Sequence, residues 1–247
     1  MKSIIGVIPA RYASSRFPGK PLADLGGKTM IQRVYEQVNK VKSLSGVYVA
    51  TDDERIFKEV EKFGGKALMT KANHVSGTDR CFEAASSIAE KPDVVINIQG
   101  DEPFIHVSQI EELVSIMANN AEIGTLVKKI DDEDTLLDIN TPKVVFDSNY
   151  EALYFSRESI PHIRSVHKKE WLTHHTFYKH IGVYGYRYDV LEKLCQLQPS
   201  SLEKAESLEQ LRWLENGFKI KIGITDAESF GIDTPEQLKE AQKRLSL

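Results

Sequence analysis

The run Ile4-Ile5-Gly6-Val7-Ile8 has no polar side chain at either parity and the length of a strand buried on both faces. Short apolar runs of this kind then alternate with helical patterns. Met30, Val34, Val38 and Val41 recur at helical spacing, Val47–Ala50 reads as a second strand, and Ile56, Val60 and Phe63 mark a helix stopped by Gly64-Gly65. Val94–Ile98 is a further buried strand, followed by a helix over Gln109–Met117 with Ser108 and Glu111 in capping-box positions. Alternation of this kind predicts an α/β chain with a mainly parallel central sheet flanked by helices.

The middle of the chain departs from it. Residues 143–187 hold the strand-like pieces Val144–Phe146, Ala152–Phe155 and His180–Tyr186 with few helical patterns, and Ser159–Phe177 is polar, aromatic and histidine-rich. This predicts a smaller antiparallel extension that contributes to a dimer interface, within a single domain spanning residues 1–247. Alternation then resumes with a helix over Ser201–Asn216, a strand over Phe218–Ile224, and a last helix opened by Thr234-Pro235-Glu236-Gln237, another capping-box pattern.

A chain of 247 residues, 41% hydrophobic and 28% charged, buries a sizeable core. Its formal charge of -4 supplies no global field for a polyanion, so nucleic acid is not an expected partner. The cysteines Cys81 and Cys195 lie far apart in apolar helical contexts and read as core residues of a reducing compartment. No apolar run approaches the ~20 residues of a membrane helix, and the N-terminus lacks a secretory pattern. A cytoplasmic location with no membrane insertion is expected.

Three segments carry chemistry. In Pro9-Ala10-Arg11-Tyr12-Ala13-Ser14-Ser15-Arg16-Phe17-Pro18-Gly19-Lys20, a basic loop follows the first buried strand, where open α/β sheets bind ligands. Arg11, Arg16 and Lys20, with Ser14 and Ser15, suit a triphosphate better than a merely solvated loop. Gly27-Lys28-Thr29 imitates the end of a P-loop, but Leu22 stands where the first glycine is required, and no G-x-G-x-x-G follows the first strand. The second segment, Asn97–Pro103, ends a strand in Asp101 and Glu102; a magnesium-binding carboxylate and a turn-capping aspartate fit it equally well. Asp233, in Gly231-Ile232-Asp233-Thr234-Pro235, would supply a second metal ligand, or simply precede a helix cap. The third, His74–Arg80, is a polar loop entering a helix, suited to a base or a phosphate. Five of the seven histidines fall between His162 and His180, without the cysteine or acid that would complete a zinc pattern.

In this order, IPARYASSRFPGKPL, ATDD, HVSGTDR, NIQGDEP, KVVFD, ALYFSRESIP, HIGVYGYR, ESLEQLRWLENG and GIDTPEQL resemble the 3-deoxy-manno-octulosonate cytidylyltransferases, the CMP-Kdo synthetases, from Ile8 to Leu238. The resemblance implies a nucleotide-diphospho-sugar transferase fold, CTP and the acid sugar Kdo as substrates, Mg²⁺ as cofactor, a homodimer, and a product used in lipopolysaccharide synthesis. It further implies that Arg11 and Lys20 contact the triphosphate and that Asp101 and Asp233 bind the metal. Ala10, Ser14, Ser15, Arg16, Ser76, Gly77, Thr78, Arg80 and Gln99 would lie near the nucleotide. Arg157, His180, Tyr184, Glu209 and Gln210, again with Gln99, would surround the sugar acid. Competing readings are a cytidylyltransferase for 8-amino-Kdo or sialic acid, a metal-dependent glycosyltransferase, and a catalytically silent nucleotide sensor.

Overall fold

The structure, a computed structural model, describes residues 2–13, 17–228 and 230–245. The chain forms two compact units, Met1–Val114 with Glu228–Leu247, and Ser115–Ala227.

The first unit opens with β1 (Ile4–Ala10), α1 (Met30–Val38), β2 (Gly46–Thr51), α2 (Glu54–Lys62), β3 (Ala67–Met69), α3 (Gly77–Ser86), β4 (Val94–Asn97) and the first part, to Val114, of α4 (Val107–Ala118). Its strands pair in parallel in the order β3-β2-β1-β4. Val7 and Ile8 are fully buried on opposite faces of β1, as are Val49, Ala50 and Ile96 on its neighbours, so helices must cover both sides. After β1 the chain moves outward to β2 and β3, then returns across the sheet through α3 to place β4 on the other flank of β1. That reversal puts the switch point of the sheet at the carboxyl ends of β1 and β4, the place where such sheets receive ligands.

The second unit contains β5 (Ile123–Lys129), α5 (Glu133–Leu137), β6 (Lys143–Phe146), β7 (Ala152–Ser156), α6 (Trp171–His174), β8 (Tyr178–Arg187), α7 (Tyr188–Leu194), α8 (Ser201–Glu206), α9 (Gln210–Glu215) and β9 (Ile220–Ile224). β5 pairs in parallel with β9 and antiparallel with β8, and β6 pairs antiparallel with β7. The α/β class, the mainly parallel pairing and the antiparallel strands of residues 143–187 agree with the sequence pattern. The histidine-rich stretch packs a small core of its own: Trp171 stacks on Phe177 at 5.9 Å between centroids, with Ile130 and Leu136 buried against them.

Four expectations need correction. Residues 201–216 are two helices, because Ser207 turns left-handed (φ 52°) and the Arg157 guanidinium draws off the carbonyls of Glu206 (2.7 Å) and Ser207 (3.2 Å). The helix expected from Gln109 begins at Val107, with the buried Gln109 side chain accepting the His106 amide at 2.9 Å, so the cap sits two residues ahead of Ser108. Val41 is buried but lies beyond the end of α1. Cys195, unlike buried Cys81, is only part-buried and caps the end of α7. The structure also adds β3 and β5. β3 has only three residues to show a period, and a glycine and a threonine interrupt the apolar run of β5.

The last helix, α10 (Pro235–Leu245), returns to the first unit. Its capping box forms as the sequence predicts. Thr234 Oγ1 accepts the Gln237 amide (3.3 Å), while Gln237 Oε1 takes the amides of Thr234 (3.1 Å) and Asp233 (2.7 Å). Ile232 and Ala241 are buried with Leu25 and Met30, fastening the segment beneath α1. Among the described residues no helix is long and apolar enough to cross a membrane. Replacing Thr234 by alanine is expected to lower unfolding free energy by about 1 kcal/mol. Urea titration checks this as a lower midpoint at unchanged slope.

Candidate active site

A cavity of about 230 Å³ opens at the switch point of the first unit. Its walls come from segments far apart in sequence: Pro9, Ala10 and Arg11 after β1, Lys20 and Pro21, His74 to Gly77 with Arg80 at the start of α3, Gln99 to Asp101 after β4, and Asp233. The segments after β1 and β4 approach closely because residue 100 is glycine; a Cβ there would lie 2.9 Å from the Pro9 carbonyl oxygen.

Lys20 is the electrostatic centre of this cavity. It opens a short 3-10 turn, Lys20–Leu22, behind Gly19 at φ 72°. Its Nζ donates to Asp101 Oδ2 at 2.6 Å and to Asp233 Oδ1 at 3.0 Å. The two acids are also tied through the backbone, Ile232 N–H donating to the Asp101 carbonyl at 2.9 Å. The pair expected to hold a metal is therefore assembled, with Lys20 between its oxygens. These convergent hard oxygen donors fit a divalent cation. Among the described residues no group of three or more His, Cys, Asp or Glu side chains could hold a metal, so most of a coordination shell would come from phosphate and water.

The amino end of α3 forms the opposite wall. Ser76 caps it, its Oγ accepting the Asp79 amide at 3.1 Å, and Gly77 packs against the Pro9 ring. Thr78 is buried in the first turn rather than among the lining residues. Arg80 is 4% exposed and held from behind, Nη1 donating to Thr70 Oγ1 at 2.6 Å and lying 3.4 Å from Asp52 Oδ1. Its charge faces the cavity half-compensated, an arrangement that keeps a buried guanidinium tolerable until an anion arrives. Glu83 clasps the loop before α3. Its Oε2 accepts the Lys71 amide at 2.9 Å and contacts His74 Nε2. Burial raises the Glu83 pKa, but hydrogen bonds from His74 and the Lys71 amide outweigh that and hold it below the ordinary glutamate value.

Of the expected nucleotide residues, Ala10, Arg11, Lys20, Ser76, Gly77, Arg80, Gln99 and Asp101 line the cavity, as does Asp233. Ser14, Ser15 and Arg16 lie outside the described residues. Asp52, His74 and Glu83 carry no individual signal in the sequence. His74 and Asp52 stand inside quoted motifs, but nothing local shows that they meet Glu83 and Arg80.

The expected sugar residues lie, apart from Gln99, in the second unit. His180 and Tyr184 are neighbours on β8, with ring centroids 5.2 Å apart, over Phe155 and Trp213. Glu209 precedes α9, whose first residue is buried Gln210. Burial, then the Glu209 charge, pushes the Tyr184 phenol well above its ordinary value. Arg157 is engaged structurally: beyond its bonds at the end of α8, Nη1 donates to the Ile139 carbonyl at 3.1 Å.

His180 is not the cation that an acid-binding role would suggest. The residue keeps some solvent contact, but its ring is enclosed by Phe155, Tyr184 and Thr125, and burial pushes its pKa down to about 3. Thr125 Oγ1 lies within hydrogen-bond distance of His180 Nε2 at 3.0 Å and of the Val183 carbonyl at 2.8 Å. At neutral pH the ring is uncharged. Since the unfolded chain takes up this proton near 6.5 and the folded one only near 3, folding stability falls as pH drops through that window. The slope approaches about 1.4 kcal/mol per pH unit for this one group. His180→Gln should flatten the difference, read as urea unfolding free energies of both proteins between about pH 6.5 and pH 4. Parallel curves would mean the ring titrates freely in the folded state.

A family described as cytidylyltransferase matches residues 5–222. A 3-deoxy-manno-octulosonate cytidylyltransferase of Parabacteroides distasonis is 59% identical over 98% of this chain and 97% of its own length. An 8-amino-3,8-dideoxy-manno-octulosonate cytidylyltransferase of Shewanella pealeana is 48% identical, with 98% of each chain covered. A solved structure of CMP:2-keto-3-deoxy-manno-octonic acid synthetase complexed with CTP superposes with a TM-score of 0.92 at 42% identity, covering 99% of this chain and 98% of that one.

Proposed function

Because this chain belongs to the cytidylyltransferase family, we propose that it transfers CMP from CTP to the anomeric hydroxyl of 3-deoxy-D-manno-octulosonate, releasing pyrophosphate and CMP-Kdo. The observation that carries this reading is the cavity at the β1/β4 switch point, where the family's motifs converge as one polar wall of cations, helix amides and two carboxylates. The relative named for Kdo is the more similar of the two, 59% against 48%, which favours Kdo over the 8-amino sugar.

In the proposed reaction the sugar oxygen forms a bond to the α-phosphorus as the bond to the pyrophosphate oxygen breaks, and the hydroxyl proton passes to solvent. Both substrates are anions, so the protein's main task is electrostatic. Arg11, Lys20 and Arg80, with the amides at the start of α3, hold the triphosphate and stabilise charge gathering on pyrophosphate. Asp101 and Asp233 would hold Mg²⁺, which when bound neutralises phosphate charge and orients the α-phosphate. His180, neutral, offers a ring nitrogen for a hydrogen bond with a sugar hydroxyl. Tyr184, Glu209 and Gln210 are the further sugar contacts offered by the second unit, while Arg157 sets their backbone frame.

The chain works in this reading as one cytidylyltransferase domain, in the cytoplasm, with its product passing to lipopolysaccharide synthesis. It acts as a homodimer. Exposed Leu153 on β7 and nearby Tyr150, 62% and 49% accessible, support a partner surface on the antiparallel extension. Leu153→Asp should convert a dimer into a monomer in sedimentation velocity; a wild-type monomer at micromolar concentration would remove the dimer from the account.

Pyrophosphate release with CTP, Mg²⁺ and separate sugar acids tests the substrate assignment. Turnover with Kdo exceeding that with 8-amino-Kdo and sialic acid is expected, and none with any acid sugar would leave only a nucleotide-binding protein. Asp101→Asn and Asp233→Asn should each lower kcat by about a hundredfold or more with the far-ultraviolet spectrum unchanged. Near-normal pyrophosphate release by either variant at saturating Mg²⁺ would remove the metal role of that residue.

A further inference from the structure

The ammonium of Lys20 governs how the acid pair can be used. Its Nζ lies 2.6 Å from Asp101 Oδ2 and 3.0 Å from Asp233 Oδ1, so one ammonium serves both carboxylates. The acids cannot relax apart, because Ile232 N–H is bonded to the Asp101 carbonyl, Gln237 holds the Asp233 amide, and Ile232 is buried with Leu25 and Met30. Two carboxylates pinned together repel each other and call for a positive charge between them. Lys20 meets that need with a flexible four-carbon stem on a fixed backbone, its neighbour Pro21 being buried and Gly19 left-handed.

A divalent cation on this pair would occupy the space the ammonium fills, and two positive charges do not share it. We propose that Lys20 and the divalent cation are mutually exclusive ligands of Asp101 and Asp233. Lys20 is the resident counter-charge of the nucleotide-free protein, and a polyphosphate, by giving the ammonium another anion, frees the carboxylates for the cation. Cation and nucleotide then bind cooperatively through the movement of one side chain, and the cation alone binds weakly. The proposal rests on the metal role proposed for Asp101 and Asp233 and adds to it an internal competitor.

Mn²⁺ binding in the absence of nucleotide, read from the electron paramagnetic resonance of the free ion, tests it without any turnover. Wild-type protein is compared with Lys20→Met and Lys20→Gln, each with and without Asp101→Asn, after thermal melts confirm folding. Both single variants should bind Mn²⁺ about tenfold more tightly than wild type, the size of a typical coupling between sites. Asp101→Asn should abolish that gain. In the wild type, Mg²⁺ should also increase the rate at which Lys20 is labelled by an amine-reactive reagent, read by peptide mass spectrometry. Equal or weaker Mn²⁺ binding in both Lys20 variants, with binding still dependent on Asp101, would overturn the exclusion and leave the metal site intact. Binding that is independent of Asp101 in every protein would overturn the metal role and the proposal together.

Discussion

Burial of β1 on both faces is the constraint on which the first unit depends. A strand of Ile, Val and Ile with fully buried side chains needs parallel neighbours on each edge and helices above and below. β2 and β4 supply the edges, and the return from β3 to β4 creates the switch point. The chain leaving β1 and the chain leaving β4 then have to diverge at one place, and the space between them is the cavity. Gly100 permits the approach of backbone to backbone that narrows it, where any side chain would press on the Pro9 carbonyl.

Charged groups in and around that cavity are paired with one another. Lys20 answers Asp101 and Asp233, Arg80 answers Asp52, and Glu83 is tied to His74 and the Lys71 amide. Groups that would be costly to bury alone are paired, and of these Lys20, His74, Arg80, Asp101 and Asp233 line the cavity. The second unit uses a different device. His180 and Tyr184 there are enclosed by aromatic rings, so burial drives His180 neutral and raises the Tyr184 phenol well above its ordinary value.

Much of this was legible in the chain because several signals are local. The strand β1, the cap of α10 and the glycine stop after α2 depend on residues a few positions apart, and the structure shows all three. Arg11, Lys20, Asp101 and Asp233, which line one cavity, stand out in the sequence because each follows a strand or precedes a helix. The single helix expected over residues 201–216 failed for the opposite reason. Its break is enforced by Arg157, which is remote in sequence and removes carbonyls from the helical ladder. The clasp of His74 by Glu83 was invisible in the same way, since no spacing rule separates it from two polar residues on a loop and a helix.

The sequence alone determined the α/β class, the ends of the strands on which function is displayed, and the inventory of cations and carboxylates offered there. These depend on hydrophobic period and backbone preference, which act over a few residues. Only the tertiary structure decided that Lys20 sits between Asp101, 81 residues away, and Asp233, 213 residues away, and that His180 is an uncharged ring. Coulomb interaction depends on distance in space, and ionisation depends on how much water the fold excludes. Neither quantity exists until the segments have packed.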